Sequence, residues 1–242
     1  MIDHMKGRAI TVKRWPHDIQ GSMFYQKNVK VNGSISPIAI DEMTSLLQWV
    51  ARGAIEFHVP LGLMSEPMRH DWAVLDLDPP LDAPWSQVHD GAILVSDLLD
   101  SIGVPFLLKT SGQKGVHFYV AIQPADQRQV VYWMQRLATL LVQSFPGWMT
   151  VERQRSLRGR RIYLDYLQNG FKRTMVGVYS LRALPNAAVS APIRREELIY
   201  PPDHWTPDRV MRRVMELGDL FCPHAPRIDF GNALRQHKLI PE

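Results

Sequence analysis

Residues 72–78 constrain the fold of this chain more than any other stretch. They read Trp-Ala-Val-Leu-Asp-Leu-Asp and are followed by two prolines. Side chains alternate between the two faces of a β-strand, so a strand here directs three apolar side chains to one face and Val74, Asp76 and Asp78 to the other. The sequence therefore predicts a packed strand that ends in two carboxylates on one face, about 7 Å apart.

The rest of the chain mixes helical and strand patterns. Helical spacing predicts a helix that is capped by Asp41 and has an apolar face of Met43, Leu46, Leu47 and Val50. Further helices are predicted at 86–102, 126–144 and 207–217, and strands at 54–59, 106–109, 116–122, 161–167 and 174–179. Because helices do not alternate strictly with strands, we expect an α+β fold with a mostly antiparallel central sheet flanked by helices.

The composition is that of an ordinary globular protein. Of 242 residues, 45% are hydrophobic and 21% are charged, which argues against a disordered or coiled-coil chain. Neither an apolar run of about 18 residues nor a secretory signal is present, so we expect a cytoplasmic protein without a membrane partner. The single cysteine, Cys222, excludes an internal disulfide and a multi-cysteine metal site. The net charge of +4 permits an anionic partner without requiring one.

Three aspartates form the first candidate site. Asp165 lies in a second strand pattern of apolar and aromatic residues, where an acid is costly to bury unless it is paired or bound to a metal. Together with Asp76 and Asp78 it could hold two divalent ions about 4 Å apart, as in-line displacement at phosphorus requires. The alternatives are solvated strand-end acids for the first two, and a salt bridge from Asp165 to Arg160 or Arg161.

Residues 110–117 form the second candidate site. They read Thr-Ser-Gly-Gln-Lys-Gly-Val-His, so Gly112 would let backbone N–H groups approach an anion. Ser111 supplies a hydroxyl, Lys114 a point charge and His117 an imidazole on the next strand. The segment resembles a triphosphate cradle but lacks the spacing of a Walker A loop. An ordinary glycine hairpin is the alternative.

Other polar residues stand close to these two sites in the sequence. His58 lies on a predicted strand, Gln168 follows Asp165 closely, and Arg182 follows the last predicted strand. Their imidazole, amide and guanidinium groups could orient phosphates or a ribose. Taken singly, each is as readily a surface or core polar group.

Two basic stretches are candidates for nucleic-acid contact. The first interleaves cations with aromatic residues, as a base-stacking surface does: Lys13, Arg14, Phe24, Tyr25 and Lys27. The second contains five arginines between 153 and 161, among them Arg158, and could follow a nucleic-acid backbone. The alternatives are a half-buried sheet with snorkelling lysines and a solvated arginine loop.

In order and in approximate spacing, these motifs resemble the polymerase domain of bacterial DNA ligase D, within the archaeo-eukaryotic primase superfamily. The resemblance rests on the segments 76–79, 110–117 and 164–169, and it extends through 13–16, 24–28, 55–60 and 178–183. It implies a primase-polymerase fold in a single domain over 1–242. Within it we expect an N-terminal part over 1–60, a catalytic module over 61–220 and a C-terminal tail over 221–242.

The resemblance implies a template-directed nucleotidyltransferase that favours ribonucleotides and that fills gaps and extends ends in non-homologous end joining. Asp76, Asp78 and Asp165 would hold two Mg²⁺ or Mn²⁺ ions, with Asp165 nearest the primer 3′-hydroxyl. The incoming nucleotide would contact His58, Ser111, Gly112, Lys114, His117, Gln168 and Arg182. The DNA would contact Lys13, Arg14, Phe24, Tyr25, Lys27 and Arg158. DNA with gaps or ends, nucleoside triphosphates, Ku and a separate ATP-dependent DNA ligase would be the partners, at the nucleoid of a prokaryote.

This sequence departs from the family in beginning some tens of residues later and in being shorter between Lys27 and Asp41. The resemblance therefore supports nucleotide addition more directly than 5′-phosphate recognition or the alignment of two broken ends. Three alternatives remain open from the sequence. They are a primase that starts chains de novo, a phosphohydrolase with Asp76 as nucleophile and Asp78 as acid, and a non-catalytic module that binds DNA ends.

Overall fold

The structure is a computed structural model that describes residues 1–14, 24–31, 33–221 and 225–241. Trp15 and Pro16 of the first basic stretch and the cysteine at position 222 lie outside these residues, as does the side chain of Phe24. Within them, no helix is long and apolar enough to cross a membrane.

The described residues form twelve strands. They are Thr11–Arg14 (β1), Phe24–Gln26 (β2), Asn28–Val31 (β3), Ser34–Pro37 (β4), Ala54–Val59 (β5), Arg69–Asp78 (β6), Leu107–Thr110 (β7), Val116–Asp126 (β8), Met149–Thr150 (β9), Ile162–Asp165 (β10), Met175–Val176 (β11) and Pro192–Ile193 (β12). All pairings are antiparallel except that of β9 with β10. The expected α+β fold with a mostly antiparallel central sheet is thus confirmed.

Seven α-helices accompany these strands in the described part of the chain. They are Ile2–Met5 (α1), Met43–Ala51 (α2), Trp85–Ser101 (α3), Gln127–Ser144 (α4), Arg155–Arg158 (α5), Pro207–Leu217 (α6) and Phe230–Gln236 (α7). The expected helices all occur, with ends within a few residues of the prediction. Asp126 caps α4 by accepting a hydrogen bond from the backbone N–H of Arg128.

The six-stranded sheet has the order β12-β7-β8-β6-β10-β9. Its central strands β6 and β8 are buried on both faces because α3 and α4 cover one face and a smaller aromatic cluster covers part of the other. Leu75 and Leu77 point into the first core, whereas Trp72 and Val74 belong to the second. The predicted alternation of residues 72–78 is therefore confirmed, and it leaves Asp76 on the face away from the helices.

A four-stranded sheet with the order β11-β5-β1-β2 stands beside the larger one. It has its own core, in which Val12 and Phe57 pack against Met5 and Trp49. Strands β3 and β4 pair with each other in a separate two-stranded sheet. The two larger sheets bring their strand ends to one common cavity, which is described below.

Helix α2 differs from the sequence expectation in its cap and in its buried face. Glu42 rather than Asp41 is the N-cap residue, because the Asp41 carboxylate accepts a hydrogen bond from the N–H of Gly7. Trp49 is buried beneath the helix, while Leu47 and Val50 of the expected apolar face are about half exposed. One bulky indole thus anchors the helix where four aliphatic side chains were expected.

The chain after β10 turns where a longer strand was expected. Residues 166–169 form a 3₁₀ helix because the Asn169 side chain takes the place of a strand neighbour of β6. Its amide donates to the carbonyl of Val74 at 2.7 Å and accepts from the N–H of Val74 at 2.8 Å. The expected strand over 174–179 shortens to β11.

The expected C-terminal tail contributes to the main core. Phe230 and Leu234 of α7 are buried there, and Ile228 bridges to Ile122 of β8. Arg227 bonds to the carboxylate of Asp71 at 2.9 Å, which fastens this segment to the start of β6.

Candidate active site

A cavity of about 540 Å³ lies where the two larger sheets meet. The six-stranded sheet contributes the carboxyl end of β6 and the turn between β7 and β8, and the four-stranded sheet contributes residues of β5 and β11. The sequence-predicted residues that line it are His58, Asp76, Asp78, Ser111, Lys114, His117, Gln168 and Arg182. Residues from five separate segments of the chain are thus brought together by the fold.

Strand register places the three aspartates next to one another. Asp76 and Asp78 alternate along β6, and β10 pairs antiparallel with β6 so that Asp165 stands directly opposite Asp76. Directly opposed residues of an antiparallel pair have Cβ atoms about 5 Å apart. The Asp76 side chain is 20% exposed and that of Asp78 is 45% exposed. Asp78 is therefore the more accessible of the two.

The electrostatics of Asp76 are those of an acid without a compensating cation. Burial, followed by the charges of Asp165 and Asp78, raises the pKa of Asp76 to about 8, although Lys109 and Arg182 act in the opposite direction. Nε2 of His117 lies 3.4 Å from Oδ1 of Asp76. A bound cation would relieve this repulsion.

The other two aspartates are held by neighbours. Asp78 Oδ2 accepts a hydrogen bond from Arg158 Nη1 at 3.1 Å. Asp165 accepts from the N–H of Leu167 at 3.0 Å and from Gln168 Nε2 at 2.9 Å. The proposed salt bridge from Asp165 to Arg160 or Arg161 is wrong, because Arg160 pairs with Asp82 and Arg161 donates to backbone carbonyls.

The three carboxylates do not converge on one point in this arrangement. Throughout the described residues, no group of three or more His, Cys, Asp or Glu side chains is placed to hold a metal ion. The donor set is nevertheless of the right type, since carboxylate oxygens are the ligands that Mg²⁺ and Mn²⁺ prefer. Asp76 and Asp165 share a register position, and Asp78 would join them by leaving Arg158.

The turn after β7 has the expected hairpin geometry. Gly112 has a φ of +69°, and a Cβ atom at Gly115 would lie 2.3 Å from the carbonyl oxygen of Leu77. Both positions therefore require glycine. The Ser111 hydroxyl accepts hydrogen bonds from the N–H groups of Gln113 and Gly115, so it shapes the turn from within.

Cations approach the cavity from two sides. Lys114 lines it from the turn, with its ammonium donating to the carbonyl of Leu81. Arg182 lines it from the opposite loop and donates from Nη1 to the carbonyl of Ser111 at 2.9 Å. Burial, followed by the charges of Lys109 and Arg182, lowers the pKa of His117 well below its usual value, so this imidazole is neutral. The cavity thus offers positive charge and neutral donors around the acids.

Sequence reasoning missed Glu56, which lies behind the cavity. Its side chain is 1% exposed, and Oε2 lies 3.0 Å from Nε2 of His58. The alternation of β5 places Glu56 and His58 on one face, a signal that was present in the sequence. What no local pattern shows is the third neighbour, Arg182, which is 126 positions away along the chain and has Nε 3.5 Å from Glu56 Oε1.

Part of the predicted DNA surface borders the cavity. Lys13 of β1 stands opposite Tyr25 of β2, and its Nζ lies 5.6 Å from the centre of that ring. Tyr25 is 56% exposed and meets His58 edge to face, with ring centres 5.3 Å apart. Arg14 donates to the Gln26 side chain and to the carbonyl of Arg52.

The three remaining predicted DNA contacts, Lys27, Arg158 and Phe24, have different surroundings. Lys27 is exposed and lines a neighbouring cavity of about 470 Å³, which shares Thr174 with the first. The Arg158 guanidinium stacks on the Tyr163 ring at 3.7 Å and bonds Asp78. Arg158 therefore belongs to the acidic cluster. The backbone of Phe24 is part of β2.

Known proteins are similar to this chain in sequence and in fold. The chain matches the family described as "LigD, primase-polymerase domain" over residues 1–221. It is 30% identical over 273 residues to the multifunctional non-homologous end joining DNA repair protein LigD of Mycobacterium tuberculosis, covering 100% of this chain and 36% of the relative. It is 31% identical over 237 residues to the bifunctional non-homologous end joining protein LigD of Bacillus subtilis, covering 92% and 38%. The chain thus spans a little over a third of the length of these relatives.

A solved structure agrees with these matches. The polymerase domain of Mycobacterium tuberculosis ligase D in complex with DNA superimposes with a TM-score of 0.80 and 30% identity, over 91% of this chain and 85% of that one. The match confirms the expected fold and, with it, a DNA-directed nucleotidyltransferase domain rather than a phosphohydrolase. The chain belongs to the LigD primase-polymerase domain family.

Proposed function

We propose that this domain adds nucleotides to the 3′ end of a primer strand on a DNA template, and that it fills gaps and extends ends in non-homologous end joining. The observation that carries the proposal is the register of β6 and β10, which sets Asp165 opposite Asp76, and Asp76 lines a cavity that Lys114 and Arg182 also line. Three acids that could hold divalent ions, next to the phosphate-binding cations Lys114 and Arg182, suit nucleotidyl transfer.

The acids would hold two divalent ions, Mg²⁺ or Mn²⁺. The raised pKa of Asp76 supports this assignment, because among the described residues no arginine or lysine lies at ion-pair distance from Asp76 and a divalent ion would supply the missing positive charge. When bound, the ions would make the primer hydroxyl more acidic and neutralise charge on the departing pyrophosphate. We assign Asp165 to the primer side of the pair and Asp78 to the nucleotide side.

The other residues would bind and orient the nucleotide. The primer 3′-oxygen would form a bond to the α-phosphorus while the bond from that phosphorus to the pyrophosphate oxygen breaks, and the hydroxyl proton would pass to water. Lys114 and Arg182 would stabilise the negative charge that accumulates on the pyrophosphate, together with N–H groups of the glycine turn. His58, His117 and Gln168 would fix the orientation of the nucleotide by hydrogen bonds.

The exposed ring of Tyr25 would stack on the templating base, with Lys13 on a nearby phosphate. By family membership we extend the proposal to a preference for ribonucleotides and to Ku and a separate ATP-dependent DNA ligase as partners. The site of action would be the nucleoid in the cytoplasm of a prokaryote.

Primer extension on a gapped DNA duplex tests the proposal. We would compare ribo- and deoxynucleoside triphosphates with Mn²⁺ or Mg²⁺, with and without a downstream 5′-phosphate. Asp165→Ala is the test variant, and Asp208→Ala on the exposed side of α6 is the matched control. We expect templated addition that favours ribonucleotides, is lost in Asp165→Ala and is unchanged in Asp208→Ala.

Two results would contradict the proposal. Normal incorporation by Asp165→Ala would remove the acidic cluster from the chemistry. Binding of DNA ends without incorporation under any of these conditions would instead favour the non-catalytic module.

A further inference from the structure

Glu56 connects residues that the proposed function assigns to different tasks. It lies on β5 behind the cavity, with its carboxylate shielded from solvent and from any ligand. A carboxylate exposed to a triphosphate would repel it, whereas a buried one can hold the cations that bind the triphosphate. The contacts of Glu56 are of this second kind.

Both carboxylate oxygens of Glu56 are used. Oε1 accepts a hydrogen bond from the N–H of Ala183 at 2.8 Å and lies 3.5 Å from both Lys13 Nζ and Arg182 Nε. Oε2 lies 3.0 Å from His58 Nε2. Burial alone would raise the pKa of Glu56, but the bonds to His58 and Ala183 and the two cations outweigh it and lower the pKa to about 2. The group is therefore a carboxylate at any neutral pH.

On the nucleotide side, Glu56 and the glycine turn hold Arg182 between them. Nη1 of Arg182 donates to the carbonyl of Ser111, while Nε faces Glu56. Within the described residues, Nη2 has no protein acceptor. The guanidinium is thus hydrogen-bonded at Nη1, while Nε is held by the charge of Glu56 without a hydrogen bond. This arrangement keeps Nη2 for a ligand, which suits binding of a phosphate.

On the template side, Glu56 reaches the aromatic surface through two residues. Lys13 is its cross-strand neighbour on β1 and stands in turn opposite Tyr25. His58, the other partner of Glu56, meets the Tyr25 ring edge to face. One buried carboxylate thus contacts residues next to the template surface as well as residues that line the nucleotide cavity.

We infer that Glu56 is a positioning residue that aligns the triphosphate-binding groups with the template-stacking ring. The inference rests on the proposed function, since it names the residue that sets the geometry of that same site. Arg182 and His58 would contact the nucleotide before and during the reaction, so loss of their alignment weakens nucleotide binding more than the chemical step.

Glu56→Gln tests the inference, because it keeps the shape of the side chain and removes its charge. Asp71→Asn is the matched control: Asp71 is also a buried, ion-paired carboxylate, but it lies at the far end of β6 from the cavity. We would measure kcat and KM for templated addition of ATP with Mn²⁺, and the equilibrium affinity for ATP with Mn²⁺, at a temperature where both variants are folded. Glu56→Asp, which retains the charge, serves if Glu56→Gln does not fold.

For Glu56→Gln we expect KM and the ATP dissociation constant to rise about tenfold or more, with kcat within about threefold of wild type. Glu56→Asp should recover part of the affinity, and Asp71→Asn should match wild type in both constants. An unchanged ATP affinity in Glu56→Gln, or an equal loss in Asp71→Asn, would overturn the inference alone. A wild-type protein that neither binds nor incorporates ATP would overturn the proposed function and the inference with it.

Discussion

Strand β6 carries an aspartate near each end, buried at Asp71 and partly buried at Asp76, and the two have different partners. At the start of the strand, both carboxylate oxygens of Asp71 accept hydrogen bonds from Arg8 Nη2, at 2.7 Å each. Oδ2 also accepts one from Arg227 Nη2 at 2.9 Å. At the other end, Asp76 has no arginine or lysine at ion-pair distance among the described residues. It faces two further acids instead.

The difference separates an acid that stabilises the fold from one that the fold accommodates for chemistry. A buried carboxylate with two guanidinium partners is satisfied by the protein alone. A buried carboxylate next to like charges destabilises the folded state until a cation arrives. The two ends of one strand thus contribute with opposite sign to stability, and the four predictions below examine that contrast.

The largest effect is expected for Asp76→Asn. Removal of one carboxylate from the cluster should lower kcat for nucleotide addition by at least about a thousandfold, since the variant would lose one of the proposed metal ligands. The protein should remain folded, because the change removes repulsion and no ion pair. Single-turnover primer extension and a thermal melt of the same sample check this, and a variant with near-normal kcat would contradict it.

Asp71→Asn should have the opposite profile. It leaves Arg8 buried and reduces the bonds that join the amino-terminal segment, β6 and the segment around Arg227. We expect the free energy of unfolding to fall by about 3 kcal/mol or more, with kcat unchanged at a temperature where the variant is folded. Denaturant titration measures the loss. A decrease below about 0.5 kcal/mol would show that the triad of Arg8, Asp71 and Arg227 contributes little to stability.

The pH dependence of stability isolates the contribution of Asp76. Its pKa is about 8 in the folded protein and 3.8 in an unfolded chain, so between these values the folded state holds a proton that the unfolded state releases. This contribution to stability is complete below pH 4 and is lost as the pH rises towards 8. Other groups also titrate, so the quantity to follow is the difference between wild type and Asp76→Asn.

Without metal, we expect the free energy of unfolding of Asp76→Asn, relative to wild type, to rise by about 1 to 3 kcal/mol as the pH goes from 5 to 8. Mn²⁺ at pH 7.5 should remove most of that difference by binding wild type only. Unfolding followed at several pH values, in chelator and then in Mn²⁺, provides the measurement. A difference that does not change with pH would mean that Asp76 titrates normally.

Sequence patterns predicted the cavity end of β6 better than the end that carries Asp71. Asp76, Asp78 and Asp165 were found because each follows a local alternation, and antiparallel pairing then accounts for their meeting. The triad at Asp71 joins residues 63 and 156 positions away, which no local period encodes. The sequence therefore predicts which strand positions carry acids, but not which of those acids form ion pairs with arginine or lysine.

The same limit explains the remaining differences. Glu56 was visible as an alternate residue of β5, but its partner Arg182 is brought to it by tertiary folding. The turn after β10 depends on one amide of Asn169 that pairs with the backbone of β6, 95 residues earlier. The face of α2 was misjudged because one buried indole, Trp49, outweighs the aliphatic period. For Glu56 and for the turn after β10 the deciding contact joins residues distant in sequence, whereas in α2 one buried side chain outweighs the local period.

The smallest effect is expected for ion pairs of the same chemistry on the surface. Arg195 bonds to Asp97 and Asp100 of α3, but all three side chains are exposed. Water and salt screen such pairs, so Arg195→Ala should cost less than about 1 kcal/mol and progressively less as salt is added. Asp71→Asn should lose about as much unfolding free energy at high salt as at low salt, because Asp71 and its partner Arg8 are buried. If both losses depended on salt equally, burial would not be what distinguishes the acid at the start of β6, and the contrast between the two ends of the strand would need another cause.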